Sequence, residues 1–445
     1  MNNLLCSTVF FSLLTKEPVP IGREGIKDEV VFDNRSINSM MKTKCLFPAF
    51  FILIFVLSNS LLAQNIGGYV KTFGYLNPND SLRFDRAGSR LQLKVEDRIG
   101  SHAAYFAAMD FNYDATQASQ IPGASRSSGL TIYPVEAYID LFTKYADFRL
   151  GQQFIFWGRT DWVNPTDNIN PWDYEHISSE IEDYRIPVVA ARGNFYLGPL
   201  KIQAVGVPIF TPDKIQIPTD SIITPTKKLS NSEYGLRLSS YLGTLDYSFS
   251  YFHGYNGTPA IFANYLSVPP GSPTMYAKYL PIDVYGFDFV TTMGAWAIKG
   301  ESAYFQTEDK NGSNPAIKNP YIESVIGLDY VPTTKLSLTA QLVHNYKFHY
   351  HRNIERMIPS GEDSRQTFST AVRAQWDLAK FVSWQLIGVY NFHDGDSFAL
   401  SFINWDVADG VNLTFGGLLF QGPPNSPFGR SAKQDNIFAE FKISF

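Results

Sequence analysis

Between Gly151 and Arg185 the chain reads GQQFIFWGRTDWVNPTDNINPWDYEHISSEIEDYR, and this stretch concentrates residue types that do chemistry. Asp161, Asn164, Asp167, Asn170 and Asp173 recur at every third position. Carboxylates and amides on a loop are ligands for a hard cation such as Ca²⁺, but the spacing differs from the helix–loop–helix calcium loop. The same residues also make turns. Asn164-Pro165-Thr166-Asp167, echoed by Asn170-Pro171-Trp172-Asp173, places an Asn whose side chain bonds the backbone before a Pro that presets φ. The turn reading is favoured, so neither a metal nor a cofactor is expected. Trp157, Trp162 and Trp172 give the loop apolar anchors, and Arg159 and Arg185 are candidates to pair with its acids.

Catalytic patterns are sparse elsewhere. The seven histidines are His102, His176, His253, His344, His349, His351 and His393, and none stands in a nucleophile motif such as G-x-S-x-G. His349 and His351 share a strand-end face, yet two imidazoles do not complete a metal site. Glycine patterns that cradle phosphates are absent. No catalytic residue is assigned, and an enzyme is not the expectation.

The elements that position the loop follow from periodicity. After Gln64 no apolar run is long enough for a membrane-spanning helix. Runs of alternating residues recur instead, ended by turn residues. Leu91, Leu93 and Val95 alternate with Arg90, Gln92, Lys94 and Glu96; Leu336, Leu338, Ala340 and Leu342 alternate with Ser337, Thr339 and Gln341. Tight turns near 99–100, 145–146, 198–199, 242–243, 293–294, 332–333, 379–380 and 407–409 alternate with long Asn/Pro/Gly/Ser-rich stretches, of which 155–184 is the longest. Only 393–396 is short on the long-loop side. The count comes to about 18 strands, an even number that puts both ends of the barrel on one side. Aromatic residues make up 15% of the chain, with 35 Phe and 25 Tyr, against 18% charged residues. Such a balance suits girdles at two membrane interfaces.

Residues 41–63 have the form of a secretory signal: Lys42 and Lys44, the apolar run Leu46–Leu57, then Leu61-Leu62-Ala63. Residues 1–40 are read as a spurious or unstructured extension, and 64–445 as the barrel. Both cysteines, Cys6 and Cys45, fall before Gln64, which removes thiolate chemistry and suits an oxidising compartment. From Gln64 onward 31 basic residues face 37 acidic ones, a net charge of about −6 that gives no basis for nucleic-acid binding.

At the end of the chain Ile437, Ala439, Phe441, Ile443 and Phe445 share one face and Phe438, Glu440, Lys442 and Ser444 the other. This pattern resembles the C-terminal signal of Gram-negative outer-membrane β-barrels. A strand ending in Gly-x-x-x-x-x-Trp-Gly and followed by Asn-Pro-x-Asp resembles porin-like barrels, including the alginate-export type. The resemblance implies an all-β, antiparallel up-and-down barrel with short periplasmic turns and long extracellular loops. It also implies contact with outer-membrane lipid and lipopolysaccharide, and engagement of the barrel-assembly machinery through the strand ending at Phe445. A homo-oligomer is compatible with it.

On that reading the apolar faces meet lipid and the lumen receives Arg90, Lys94, Glu96, Arg237, Lys299, Glu301 and Arg373. The expected constriction is loop 155–184, with Arg149, Arg159, Asp161, Trp162, Asp167, Trp172, Asp173, Arg185 and Arg192 in or beside it. The function expected is a channel for small hydrophilic solutes, with sugar stacking on Trp162 or Trp172 as one case. The alternatives are an exopolysaccharide-export or surface-assembly barrel and a lipid-modifying outer-membrane enzyme.

Overall fold

The computed structural model describes residues 65–117, 129–174, 184–217, 219, 221–264, 274–351 and 364–445. The extension and secretory signal expected over 1–63, and His176 within the long loop, lie outside these residues.

Alternating sequence becomes extended backbone throughout. The strands before the long loop are β1 (Asn65–Asn77), β2 (Arg83–Ile99), β3 (Ala103–Asp114), β4 (Leu130–Phe142) and β5 (Ala146–Gln153). After it come β6 (Val188–Leu197), β7 (Leu200–Val207), β8 (Ile222–Ile223), β9 (Glu233–Leu242) and β10 (Leu245–Tyr255). Next are β11 (Ala260–Asn264), β12 (Thr274–Lys278), β13 (Pro281–Met293), β14 (Trp296–Thr307), β15 (Tyr321–Thr333) and β16 (Leu336–Lys347). The last are β17 (Gln366–Ala379), β18 (Val382–Asn391), β19 (Asp396–Ala408), β20 (Val411–Gln421) and β21 (Asn436–Ser444). Apart from β8, β11 and β12, each strand pairs antiparallel with the next, and β1 returns to β21, closing an 18-stranded barrel.

Closure follows from the solvent. In hydrocarbon an unpaired backbone group has no water to turn to, so a sheet edge is not tolerated. The seam is completed by Gly68 and Phe445, whose amides donate to each other's carbonyls at 2.9 and 3.0 Å. Pro134, which has no N–H to give, sits where the β3–β4 register shifts, so its missing donor interrupts no regular pair.

The two faces are the inverse of a soluble sheet. On β16 Leu338 and Leu342 are exposed, while Gln341, Asn345 and Lys347 on the other face are buried. Glu301, Glu323 and Asp288 are likewise buried on the inner wall, and Ile326, Val372, Phe415 and Leu419 are exposed outside. Apolar side chains therefore face outward and polar ones inward, as lipid outside and a wet interior require. Trp296, Trp376, Phe381 and Trp405 are exposed near the short turns, forming a girdle there.

Beyond the barrel, β11 and β12 form a hairpin, and β12 pairs parallel with β8. The sequence marks both stretches only as loops; they carry a small three-stranded sheet.

Candidate functional site

The long connection runs from the end of β5 to the start of β6, over 154–187, slightly longer than the sequence suggests. Its first half is built around one wall carboxylate, Glu301 on β14. Oε1 of Glu301 accepts from the Thr160 amide (2.6 Å), the Thr160 hydroxyl (2.8 Å) and the Arg159 amide. Oε2 accepts from the Thr166 hydroxyl at 3.0 Å. Gly158 makes this approach possible: its φ is +93°, and a Cβ there would lie 2.5 Å from Glu301 Oε1. Asn164-Pro165-Thr166-Asp167 is the expected tight turn, closed by the Asp167 amide on the Asn164 carbonyl at 3.0 Å.

Its echo folds differently. The Asp173 amide donates to the Tyr184 carbonyl at 2.7 Å, and Trp172 bridges to Arg185 as a short antiparallel pair. Asn170 instead ties the ends of the loop together, its Oδ1 accepting from the Ile155 amide (2.7 Å) and its Nδ2 donating to the Ile186 carbonyl (2.8 Å).

The acids that recur at every third position diverge. Asp161 accepts from Lys299 on β14 at 2.6 Å, Asp167 pairs with Arg185 at 2.6 Å, and Asp173 pairs with Lys214 at 2.9 Å. Three acids held by three separate cations do not converge on one ion. Arg185 pairs within the loop as expected, but Arg159 does not: it reaches the wall, to Asp288 on β13 (3.2 Å) and Asp246 on β10 (3.7 Å). Asp288 is also held by Ser248 and by Arg237 (2.9 Å), so Arg159 joins an existing network on the wall.

The Arg185–Asp167 pair is buried, and the Arg185 guanidinium lies 3.5 Å over the ring of Trp172. That face of Trp172 is taken. Burial raises the Asp167 carboxyl above its ordinary range, against the pull of Arg185. Asp213, on the connection between β7 and β9, accepts from the Trp172 amide at 2.8 Å; burial pushes its carboxyl up to about 6. Asp213, Asp288, Gln203 and Gln341 hold the loop, and none of them carries a local sequence signal of that role.

Apolar contacts complete the anchoring. Trp157 is buried with Ile155, Ile169 and Val188, and its indole N–H donates to Gln203 on β7 at 2.6 Å. Gly235 on β9 leaves room for that ring, since a Cβ would lie 2.6 Å from it. On the opposite side Val163 joins Val325, Val343, Leu400 and Phe402 of the inner wall, together with Ile215 and Phe428 from other connections. The Trp162 amide points at Gln341 Oε1 on β16, at 3.4 Å. The loop therefore spans from β7 to β16 and descends to mid-strand and below, reaching Asp246 beside the short turn between β9 and β10.

The remaining candidates lie on the strands of the wall. Arg149 is four residues below Gln153 on β5, roughly 13 Å at the strand rise. It holds Asp140 through two bonds, of 2.7 and 2.8 Å, and its guanidinium lies 3.6 Å over Tyr138. Arg192 is its cross-strand partner on β6. Arg90 pairs with Asp110 at 2.5 Å, and Lys94 and Glu96 follow on the same face of β2. Lys299 also reaches Asp329 at 2.7 Å. Arg373 is held by the amide oxygens of Gln375 (2.6 Å) and Gln385 (2.8 Å). It opens into a cavity of about 800 Å³ at the short-turn end, shared with Phe402, Asn404, Thr414, Glu440 and Lys442.

Residues 107–218, which include the loop, match a family model described as a protein of unknown function (DUF1302). No curated protein is similar to the chain. Among solved structures, Pseudomonas aeruginosa OpdK with vanillate is similar in fold, with a TM-score of 0.53 at 8% identity, covering 86% of this chain and 98% of that one. Pseudomonas aeruginosa OccK8 (OprE) gives 0.52 at 8% identity over 86% and 97% of the two chains. Acinetobacter baumannii OccAB1 gives 0.50 at 10% identity over 86% and 96%. The chain shares the fold of these outer-membrane barrels, a closed 18-stranded antiparallel β-barrel.

Proposed function

We propose that the barrel is a channel for small hydrophilic solutes, with loop 154–187 as its constriction. The observation that carries this reading is the loop's anchoring: it is tied to the inner wall at Gln203, Glu301, Lys299 and Gln341, while a cavity of about 800 Å³ lies at the short-turn end along β17 to β21. A polar inner face and a fixed loop across it are what a size-selective pore needs. Within the constriction Arg159, Asp161 and Trp162 stand on its wall side. Arg185, Asp167, Trp172 and Asp173 brace it from within. The structure of OpdK with vanillate shows that a barrel of this fold can be studied with a small aromatic acid, which makes vanillate a fair first solute.

Planar-bilayer recording and liposome swelling test the proposal. Wild-type protein should give stepwise conductance, and swelling rates should fall with solute size. Shortening 164–173 should raise conductance and blunt the size dependence. Silence from both proteins would overturn the channel reading.

A further inference from the structure

The long loop is fastened unevenly. Toward β7, β13 and β14 it bonds to Gln203 (2.6 Å), Asp288 (3.2 Å), Lys299 (2.6 Å) and Glu301 (2.6 and 2.8 Å). Toward β16 the Trp162 amide comes only to 3.4 Å from Gln341 Oε1, and Val163 packs on Val325 and Val343. The seam on this second side holds polar atoms that have nothing to bond. Gln341 Nε2, Asn345 Oδ1, the Thr367 and Ser369 hydroxyls and the Trp162 indole nitrogen are each buried and make no hydrogen bond among the described residues.

The strand register gathers the four wall residues. On the inner face of β16 and β17, Asn345 stands opposite Thr367, Val343 opposite Ser369 and Gln341 opposite Ala371. Asn345 and Gln341 are four residues apart, roughly 13 Å at the strand rise. Buried polar groups normally find partners, so five orphaned atoms along one seam call for a common explanation. Their chemistry is specific. The Gln341 amide and the Trp162 indole donate, Asn345 Oδ1 accepts, and the two hydroxyls do either. None of these groups is charged. Val325, Val343 and Ala371 are buried between them as an apolar floor.

A carboxylate or an ammonium answers only half of such a set. A hydroxyl gives and accepts at once, and a ring that bears several hydroxyls keeps apolar C–H faces between them. Trp172 is occupied by Arg185, whereas Trp162 is half-buried at the seam, so Trp162 is the indole placed to cover such a ring. We infer that the seam between the loop and β16–β17 binds an uncharged, hydroxyl-rich solute, a sugar or polyol, through Gln341, Asn345, Thr367, Ser369 and Trp162. The solute takes over the long Trp162–Gln341 contact and leaves the ties to Glu301 and Gln203 in place. The inference rests on the channel reading for the route to the seam.

Sucrose is the probe and vanillate the counter-probe. Each is titrated against the full-length protein in lauryldimethylamine oxide, a detergent without a sugar headgroup, with binding followed by ligand-observed NMR. Wild type should bind sucrose in preference to vanillate. Thr367→Val and Ser369→Ala nearly keep the shape and remove one hydroxyl each. Each should weaken sucrose binding about fivefold, the scale of one neutral hydrogen bond. Trp162→Phe keeps an aromatic face, loses the N–H and should cost about as much. Heat-modifiable migration on gels shows that each variant is folded. In bilayers sucrose should interrupt the wild-type current, and the double variant Thr367→Val/Ser369→Ala should shorten the interruptions. Failure of the wild type to bind sucrose, stronger binding of vanillate, or equal sucrose binding by the double variant overturns the inference, while stepwise conductance keeps the channel reading standing. Sucrose binding that depends on these residues, in a barrel that never conducts, upholds the inference and sinks the channel reading alone.

Discussion

Glu301 gathers donors from Arg159, Thr160 and Thr166, which no single hydrogen bond in the loop could replace. Glu301→Gln removes the charge and turns one acceptor into a donor that faces other donors. Hydrogen bonds to a charged group are each worth about 1.5–3 kcal/mol, so this substitution should weaken loop docking by about 3 kcal/mol. Limited proteolysis between 158 and 173 reads the effect: protection equal to wild type would refute the anchoring role. Asp213 makes a pH-dependent hold on the same loop. Its carboxyl lies above the unfolded value of 3.8, at about 6, so the neutral form favours the docked state. Docking stability is then fully present below about pH 4 and declines as pH rises through 6, by about 3 kcal/mol in all. Hydrogen exchange at the Trp172 amide, corrected for intrinsic rates, should quicken from pH 5 to 7 in wild type and stay level in Asp213→Asn.

Among the elements, strands and turns were readable because lipid and lumen impose opposite polarity at a spacing of two. Leu338 and Leu342 against Gln341 is such a case, and it locates β16 from sequence alone. Loop 154–187 was readable as an element through its tryptophans and its Asn-Pro turns. Its anchors were not, since Thr160 and Glu301 are 141 residues apart and only the barrel brings them together. The second Asn-Pro repeat misleads for the same reason: a distant partner, Tyr184, captures the Asp173 amide that a local turn would use. The hairpin of β11 and β12 escaped notice because each strand has only five residues, too few to show alternation. Gly158→Ala tests the loop as an element. A side chain at φ +93°, pressed against Glu301, should destabilise docking by about 1–3 kcal/mol. Unchanged proteolytic protection would show that the loop can be held without that approach.

At the scale of the whole molecule the membrane supplies the stability that a soluble core would otherwise provide. Leu342, midway along β16 and facing outward, is a direct probe. Leu342→Arg should reduce folding stability in vesicles by about 2–4 kcal/mol if it lies at the bilayer midplane. The inward-facing Gln341→Arg sits one residue away and would instead disturb the loop. A Leu342→Arg barrel as stable as wild type would place the hydrocarbon band elsewhere along the strands.

A barrel wall is a single sheet thick, and a ring of 18 strands is easily flattened into an oval. Trp157 is fastened to Gln203 on β7 and the Trp162 backbone reaches Gln341 on β16, so the loop works as a cross-brace between distant parts of the ring. With the brace in place, the shape of the opening belongs to the protein. Cut the brace, and that shape passes to the bilayer: lateral pressure and membrane thickness would then squeeze the ring, and the same chain would show a different bore in each lipid it is placed in.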